Sequence, residues 1–333
     1  MNPTILEEFK RTSPDFQIRI VDVGARSGFQ EKWNSLASYA QFIGFEPDED
    51  EFAALSSRAS KTENLFFLNT ALHSHEGKRE FHLLRGRQAS SLLFPNRVMI
   101  ERFPEPERFE IEKTVALKVD SMDNVLRANN IEDVDFIKLD TQGTELSILE
   151  GATNTLRDVF GVEIEVEFLK LYEDQPLFCE VDEFLKKQDF ELFDLRPNYW
   201  KRKSGMDLGG IKGQLVFADA LYLKGVDGTL LQRRATTTKM LKAISLCLFL
   251  GYFDYGIEIA ERAKKNGLIT DGVMAVIRAY AQNNTNRPPS FRGRGRLLNL
   301  LYNVLGWLDP CCKLGLHQIG GWSASGNVLA NRE

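Results

Sequence analysis

The run Val21-Asp22-Val23-Gly24-Ala25-Arg26-Ser27-Gly28 sets two glycines in a turn directly after an apolar segment. Glycine lets a backbone bend tightly and approach a ligand closely. If Ile18–Val23 is a strand, the turn lies at its carboxyl end, where open α/β sheets bind ligands. Glu46 follows about twenty residues on, where a carboxylate can accept both hydroxyls of a ribose. A dinucleotide loop would read G-x-G-x-x-G, and here Arg26 and Phe29 occupy the second and third glycine positions. The loop therefore suits an adenosine without a pyrophosphate, such as S-adenosylmethionine. Further along, Asp140 ends a second apolar run, Glu145 follows five residues later, and Glu163, Glu165 and Glu167 alternate. Alternation on a strand sends all three to one face. A strand covered on both sides cannot bury three unpaired carboxylates, so they line a cleft or meet basic partners. Glu167, nearest the strand end, is the one expected in a site. His73 and His75 form an H-x-H without further ligands in view, so no metal centre is expected. His73 alone can serve as a base.

The elements that must carry these residues read as strand–helix alternation. Continuous β-branched or aromatic runs at Ile18–Val23, Phe42–Phe45, Leu65–Leu68, Phe136–Leu139 and Val162–Phe168 are expected strands, with Glu191–Leu195 and Leu215–Leu223 later. Helices are expected at Asp48–Ala59, Ser121–Asn129, Glu145–Leu156 and Glu180–Gln188. This order implies an α/β fold with a doubly wound, mostly parallel sheet. Glu80–Leu84 and Ile111–Val119 look like an inserted strand pair. The polar stretch Arg85–Pro106 between them is too long for a simple connection and reads as a lid or acceptor-binding loop.

Further segments follow in a fixed order: Phe42–Pro47 (FIGFEP), Asn69–Leu72 (NTAL) with Gly77, Ala89–Leu92 (ASSL), Asp135–Gly151 (DFIKLDTQGTELSILEG) and Val166–Tyr172 (VEFLKLY). In this order they resemble the FkbM family of S-adenosylmethionine-dependent methyltransferases over about residues 18–224. The family usually has Asn where Arg26 stands, and often Glu where Gln142 stands. The resemblance implies a class I methyltransferase fold, a seven-stranded sheet whose last strand, Leu215–Leu223, is antiparallel. It also implies that Asp22, Gly24, Ala25 and Gly28 surround the methionyl part of the cofactor. Glu46 would hold the ribose, and the Asn69–Ala71 turn would lie near the adenine. Ser90 and Ser91 match the family's Ser-Ser block and are expected to touch the acceptor. Tyr172 closes the acceptor pocket or packs beside it. Asp140 contacts the acceptor or cofactor, or caps the helix after it. Glu145 lies where a helix dipole favours negative charge, so it is either catalytic or structural. An alcohol acceptor needs a general base, for which Asp140, Glu145, Glu167 and His73 are the candidates.

The chain has 333 residues, with 42 Lys plus Arg against 47 Asp plus Glu and a net charge of −5. The charge is uneven. Residues 1–230 hold 28 basic and 41 acidic side chains, and residues 231–333 hold 14 and 6. The acidic part favours a small-molecule or glycan acceptor over a nucleic acid. A division is expected into residues 1–228, a helical appendage at 229–282, and a linker, basic amphipathic helix and loose tail at 283–333. Asp254 and Asp271 are expected helix caps. Arg292, Arg294 and Arg296 precede an apolar helix with Trp307, so residues 287–308 suit either packing or peripheral contact with an anionic membrane or a protein. No run reaches the ~18 apolar residues of a membrane span. The start is not that of a secretion signal, and the four cysteines form no C-x-x-C pair, so a cytoplasmic setting is expected. The competing readings are a methyltransferase acting on RNA or protein, and a silent domain whose helical tail binds a partner.

Overall fold

The computed structural model describes residues 3–26, 28–59, 64–208, 213–232 and 234–284. An amphipathic helix α1 (Pro3–Thr12) opens the chain and buries Ile5, Leu6 and Phe9. Strands β1 (Ile18–Val23), β2 (Ala40–Phe45) and β3 (Leu65–Leu68) follow, with helix α2 (Glu49–Ala59) between the last two. An inserted small sheet holds β4 (Ala71–Leu72), β5 (Gly77–Leu84) and β6 (Ile111–Asp120), with the single-turn helix α3 (Arg97–Ile100) in the long connection. Then come α4 (Met122–Ala128), β7 (Phe136–Leu139), α5 (Glu145–Glu150), β8 (Gly161–Glu167), α6 (Phe178–Lys187), β9 (Phe190–Trp200) and β10 (Gln214–Lys224). Helices α7 (Thr229–Gln232), α8 (Thr237–Leu250), α9 (Phe253–Lys265) and α10 (Asp271–Asn284) complete the described chain.

The main sheet has seven strands in the order β3-β2-β1-β7-β8-β10-β9. The pairs β1–β2, β2–β3, β1–β7 and β7–β8 are parallel; β10 runs antiparallel to both β8 and β9. This is the expected sheet, with the expected last strand inserted antiparallel. The order reverses between β1 and β7, so the carboxyl ends of these two strands define the switch point where a ligand fits.

Two hydrophobic layers cover the sheet. One joins Ile18, Ile20 and Phe136 to α1 and to α8, α9 and α10. The other joins Val21, Ile43, Ile137 and Ile164 to α4, α5 and α6. The helices after residue 229 are thus a covering layer continuous with the sheet core. Every residue of α8 from Met240 to Leu248 is buried, which accounts for its nearly unbroken apolar run. Lys239 and Lys242 tie it down, reaching Asp135 at 3.0 and 2.9 Å just before β7.

Several boundaries differ from expectation. The helix expected to reach Leu156 ends at Glu150, because the Asp123 carboxylate accepts hydrogen bonds from Asn154 N and Thr155 N and turns the chain away. Strand β9 runs five residues past Leu195 to Trp200; its Pro197 is tolerated because β9 is an edge strand. Neither Asp254 nor Asp271 caps a helix. Both lie inside the first turn, and Thr270 Oγ1 takes the capping hydrogen bond from Val273 N. The basic helix expected at residues 295–308 and the tail beyond it lie outside the described residues, as do Cys311 and Cys312. Among the described residues no helix is long and apolar enough to cross a membrane.

Candidate active site

The turn after β1 is built by backbone contacts. Gly24 N and Ala25 N donate to Phe45 O at 3.2 and 3.1 Å, and Asp140 N donates to Val23 O at 3.1 Å. Gly24 sits at φ +80°, and a Cβ there would meet the Asp140 carbonyl oxygen at 2.0 Å. Only glycine permits this approach. The strand ends surround a cavity of about 560 Å³, in the range of small-molecule sites.

At its β1–β2 end stand Asp22, Gly24, Gly28, Glu46 and Ala71. Glu46 accepts from Asp48 N at 2.9 Å, and burial pushes its carboxyl up to about 7. Asp22 is 3% exposed, and burial pushes it up to about 6. Lys138 lies across the register from Asp22, its Nζ 3.5 Å from Asp22 Oδ1 and 3.7 Å from Asp140 Oδ2. Burial alone would depress the Lys138 ammonium; Asp22, Asp140 and Glu163 outweigh it and hold it above the ordinary lysine value. Asp22 Oδ1 has no hydrogen-bond partner. A buried carboxylate oxygen met only by the long Lys138 contact, with a second carboxylate one strand away, fits a ligand that carries an ammonium and a ribose diol. The donor end thus fits S-adenosylmethionine.

At the other end stand Asp140, Glu165, Glu167, Tyr172 and Asp219, with Trp200 and Phe217 behind them. Burial, followed by the neighbouring carboxylates Asp140, Glu145 and Asp219, raises Glu165 well above the usual carboxylate range. Burial and then Glu145, Glu165 and Asp140 do the same for Glu167. Tyr172 OH donates to Ala89 O at 2.6 Å, fastening the inserted loop to the end of β8. Ser90 lines the cavity while its Oγ accepts from Leu84 N. The expectation that the three alternating glutamates line a cleft or meet basic partners resolves both ways. Glu163 is held by Lys32 at 2.8 Å and Arg196 at 3.2 Å, and Glu165 and Glu167 line the cavity.

Five expected residues are not in the cavity wall, and each has a physical reason. Glu145 is 2% exposed and points back, accepting from Thr141 N at 2.7 Å and Gly143 N at 2.9 Å; it braces the loop after β7. Ala25 packs with Leu55, Ala59 and Phe67. Asn69 donates to the Glu46 backbone carbonyl at 3.0 Å and so steadies that residue from behind. Ser91 donates to Gln142 O at 2.8 Å. His73 pairs with Ser74 at 3.0 Å and does not line the cavity. The expected inserted strands are present as β5 and β6, and the loop between them supplies Arg87, Gln88 and Arg108 to the wall. Lys138, Gln142 and Asp219 were not among the expected site residues. The signal for Lys138 was its isolation: it is the one charged residue of β7, and the register sets it between Asp22 and Glu163. Among the described residues no group of side chains could hold a metal ion.

Comparison with known proteins adds a family. The family described as the methyltransferase FkbM domain matches residues 22–192. No curated protein matches the chain. Among solved structures, magnesium protoporphyrin IX methyltransferase from Synechocystis PCC 6803, with bound S-adenosylmethionine, is 7% identical with a TM-score of 0.34, covering 67% of this chain and 79% of that one. Precorrin-6y C5,15-methyltransferase from Geobacter metallireducens GS-15 is 10% identical with a TM-score of 0.33, covering 67% and 86%. An rRNA methylase from Streptococcus thermophilus is 14% identical with a TM-score of 0.31, covering 66% and 94%.

Proposed function

The chain belongs to the FkbM methyltransferase domain family, and from that premise we propose that it methylates a hydroxyl group of a sugar, glycan or other polyhydroxylated natural product. It is an S-adenosylmethionine-dependent methyltransferase. When bound, the donor supplies a methyl group already activated on a sulfonium. The protein's part is to hold the donor, align an acceptor oxygen and receive one proton. Asp22 and Glu46 would hold the ammonium and the ribose.

The observation that carries the hydroxyl reading is the carboxylate pair Glu165 and Glu167 on the cavity wall, both raised by burial and like charge. A hydroxyl is a weak nucleophile, and a raised carboxylate near its working pH is a better proton acceptor than an ordinary one. Two features support a polyhydroxylated acceptor. Asp219, Asn198 and Gln88 offer hydrogen bonds to several hydroxyls, and Trp200 and Phe217 offer apolar rings to the C–H faces of a sugar. The test is transfer of labelled methyl from S-adenosylmethionine to a carbohydrate panel, with total RNA and protein as parallel acceptors. An alkali-stable label on carbohydrate is expected; label confined to RNA or protein would overturn the reading.

A further inference from the structure

Gln142 combines a backbone conformation rare for a non-glycine residue with hydrogen bonds to several partners. Its φ is +59°, a left-handed backbone that costs a non-glycine residue about 1–2 kcal/mol. Such strain persists only where the surroundings impose it. They do so here at every polar atom of the side chain. Nε2 donates to Asp140 Oδ1 at 3.0 Å and to Glu165 Oε1 at 2.8 Å. Oε1 faces Tyr172 OH at 3.4 Å, and the Gln142 carbonyl accepts from Ser91 Oγ at 2.8 Å. The two carboxylates accept, which sets the amide orientation; the Tyr172 proton itself goes to Ala89 O at 2.6 Å. One neutral side chain therefore spans a carboxylate in the loop after β7 and one on β8 and, through Tyr172 and Ser91, the loop that walls the acceptor end.

We propose that Gln142 is the positioning residue of this site: it sets the separation and orientation of the Asp140 and Glu165 carboxylates and transmits that setting to the acceptor loop through Tyr172 and Ser91. This rests on the reading of Glu165 as part of the proton-accepting pair. With an amide at this position both carboxylates receive a donor from one side chain. The charged and titratable groups facing Glu165 are Lys138 of β7, Asp140 just after it, Glu145 of α5, Glu167 on its own strand and Asp219 of β10. Tyr172 stands over the same pair, with Arg108 of the inserted loop facing it in turn.

The test needs no acceptor, so its failure is separable from failure to find a carbohydrate substrate. The full chain, with S-adenosylhomocysteine bound, is prepared as wild type, Gln142→Asn and Gln142→Glu. Asn tolerates the left-handed backbone but is one carbon too short to span both carboxylates. In Gln142→Asn, amide exchange at Ala89–Leu92 is expected to quicken about tenfold or more, with unchanged exchange in α8. In Gln142→Glu, the Glu165 carboxyl, followed by ¹³C NMR and identified by its loss in Glu165→Gln, is expected to titrate about one unit or more higher than in wild type. Loop exchange and Glu165 titration both matching wild type in the two variants would overturn the proposal.

Discussion

The Gly24 Cα faces the Asp140 carbonyl so closely that a single added methyl would stand 2.0 Å from the oxygen. The loop after β1 and the loop after β7 are therefore one backbone unit, and the donor end of the cavity is shaped by their contact. Gly24→Ala combines a clash against backbone with a left-handed alanine, which alone costs about 1–2 kcal/mol. The variant is expected to lose S-adenosylhomocysteine binding and to melt well below wild type. Calorimetric titration and thermal unfolding check this, and wild-type binding would refute it.

Glu145, which accepts from the loop after β7, is expected to brace rather than react. Glu145→Ala leaves the buried N–H groups of Thr141 and Gly143 without an acceptor, at about 1–3 kcal/mol each. Urea unfolding is expected to show a loss of about 2–5 kcal/mol. Full stability with abolished turnover would instead make Glu145 a catalytic residue.

The Asp135–Lys242 pair holds α8 to the sheet, with side-chain exposures of 1% and 3%. Lys242→Met strips Asp135 of one of its two ammonium partners. Breaking a buried pair by removing one member costs about 3–5 kcal/mol. Lys239 remains 3.0 Å from Asp135, so the lower part of that range is expected in urea unfolding, with donor affinity unchanged.

Donor affinity is expected to rise with pH. Asp22 and Glu46 are held up to about 6 and about 7, so both are partly protonated in mildly acidic solution. Only their ionised forms pair with an ammonium or accept from a ribose diol. S-adenosylhomocysteine should bind more tightly from pH 5 to pH 8, by at most about tenfold per unit for each group. Binding should release protons, seen as a dependence of the calorimetric heat on buffer ionisation enthalpy. The same two carboxyls bind more protons folded than unfolded between the unfolded carboxylate range and pH 7. Their contribution to stability therefore falls as pH rises through that window. An affinity that does not change with pH would contradict this assignment.

Most of the sheet was legible in the sequence because buried parallel strands read as continuous apolar runs. Ile18–Val23 and Phe136–Leu139 matched to the residue. Helix α1 was missed: its residues were weighed only as a targeting segment, although Ile5, Leu6 and Phe9 mark a buried face. The cavity wall at the ends of β1 and β2 was readable because its residues sit in one local run plus Glu46. The opposite wall was not, because Asp219, Asn198 and Trp200 reach it through the antiparallel pairing of β9 and β10, and no local pattern encodes that register. Glu145 and Asn69 show a further limit. Sequence placed them beside the site, but whether a side chain turns inward or braces a backbone is decided by its hydrogen-bond partners.

The most direct test of the hydroxyl-methylation account is the turnover of Glu165→Gln and Glu167→Gln on a carbohydrate acceptor, measured beside their affinity for S-adenosylhomocysteine. General-base removal typically costs 10²–10⁴-fold. At least one variant is expected to lose about that factor in kcat with donor affinity essentially unchanged. Full kcat in both variants would contradict the claim that this buried pair takes the proton from the acceptor hydroxyl.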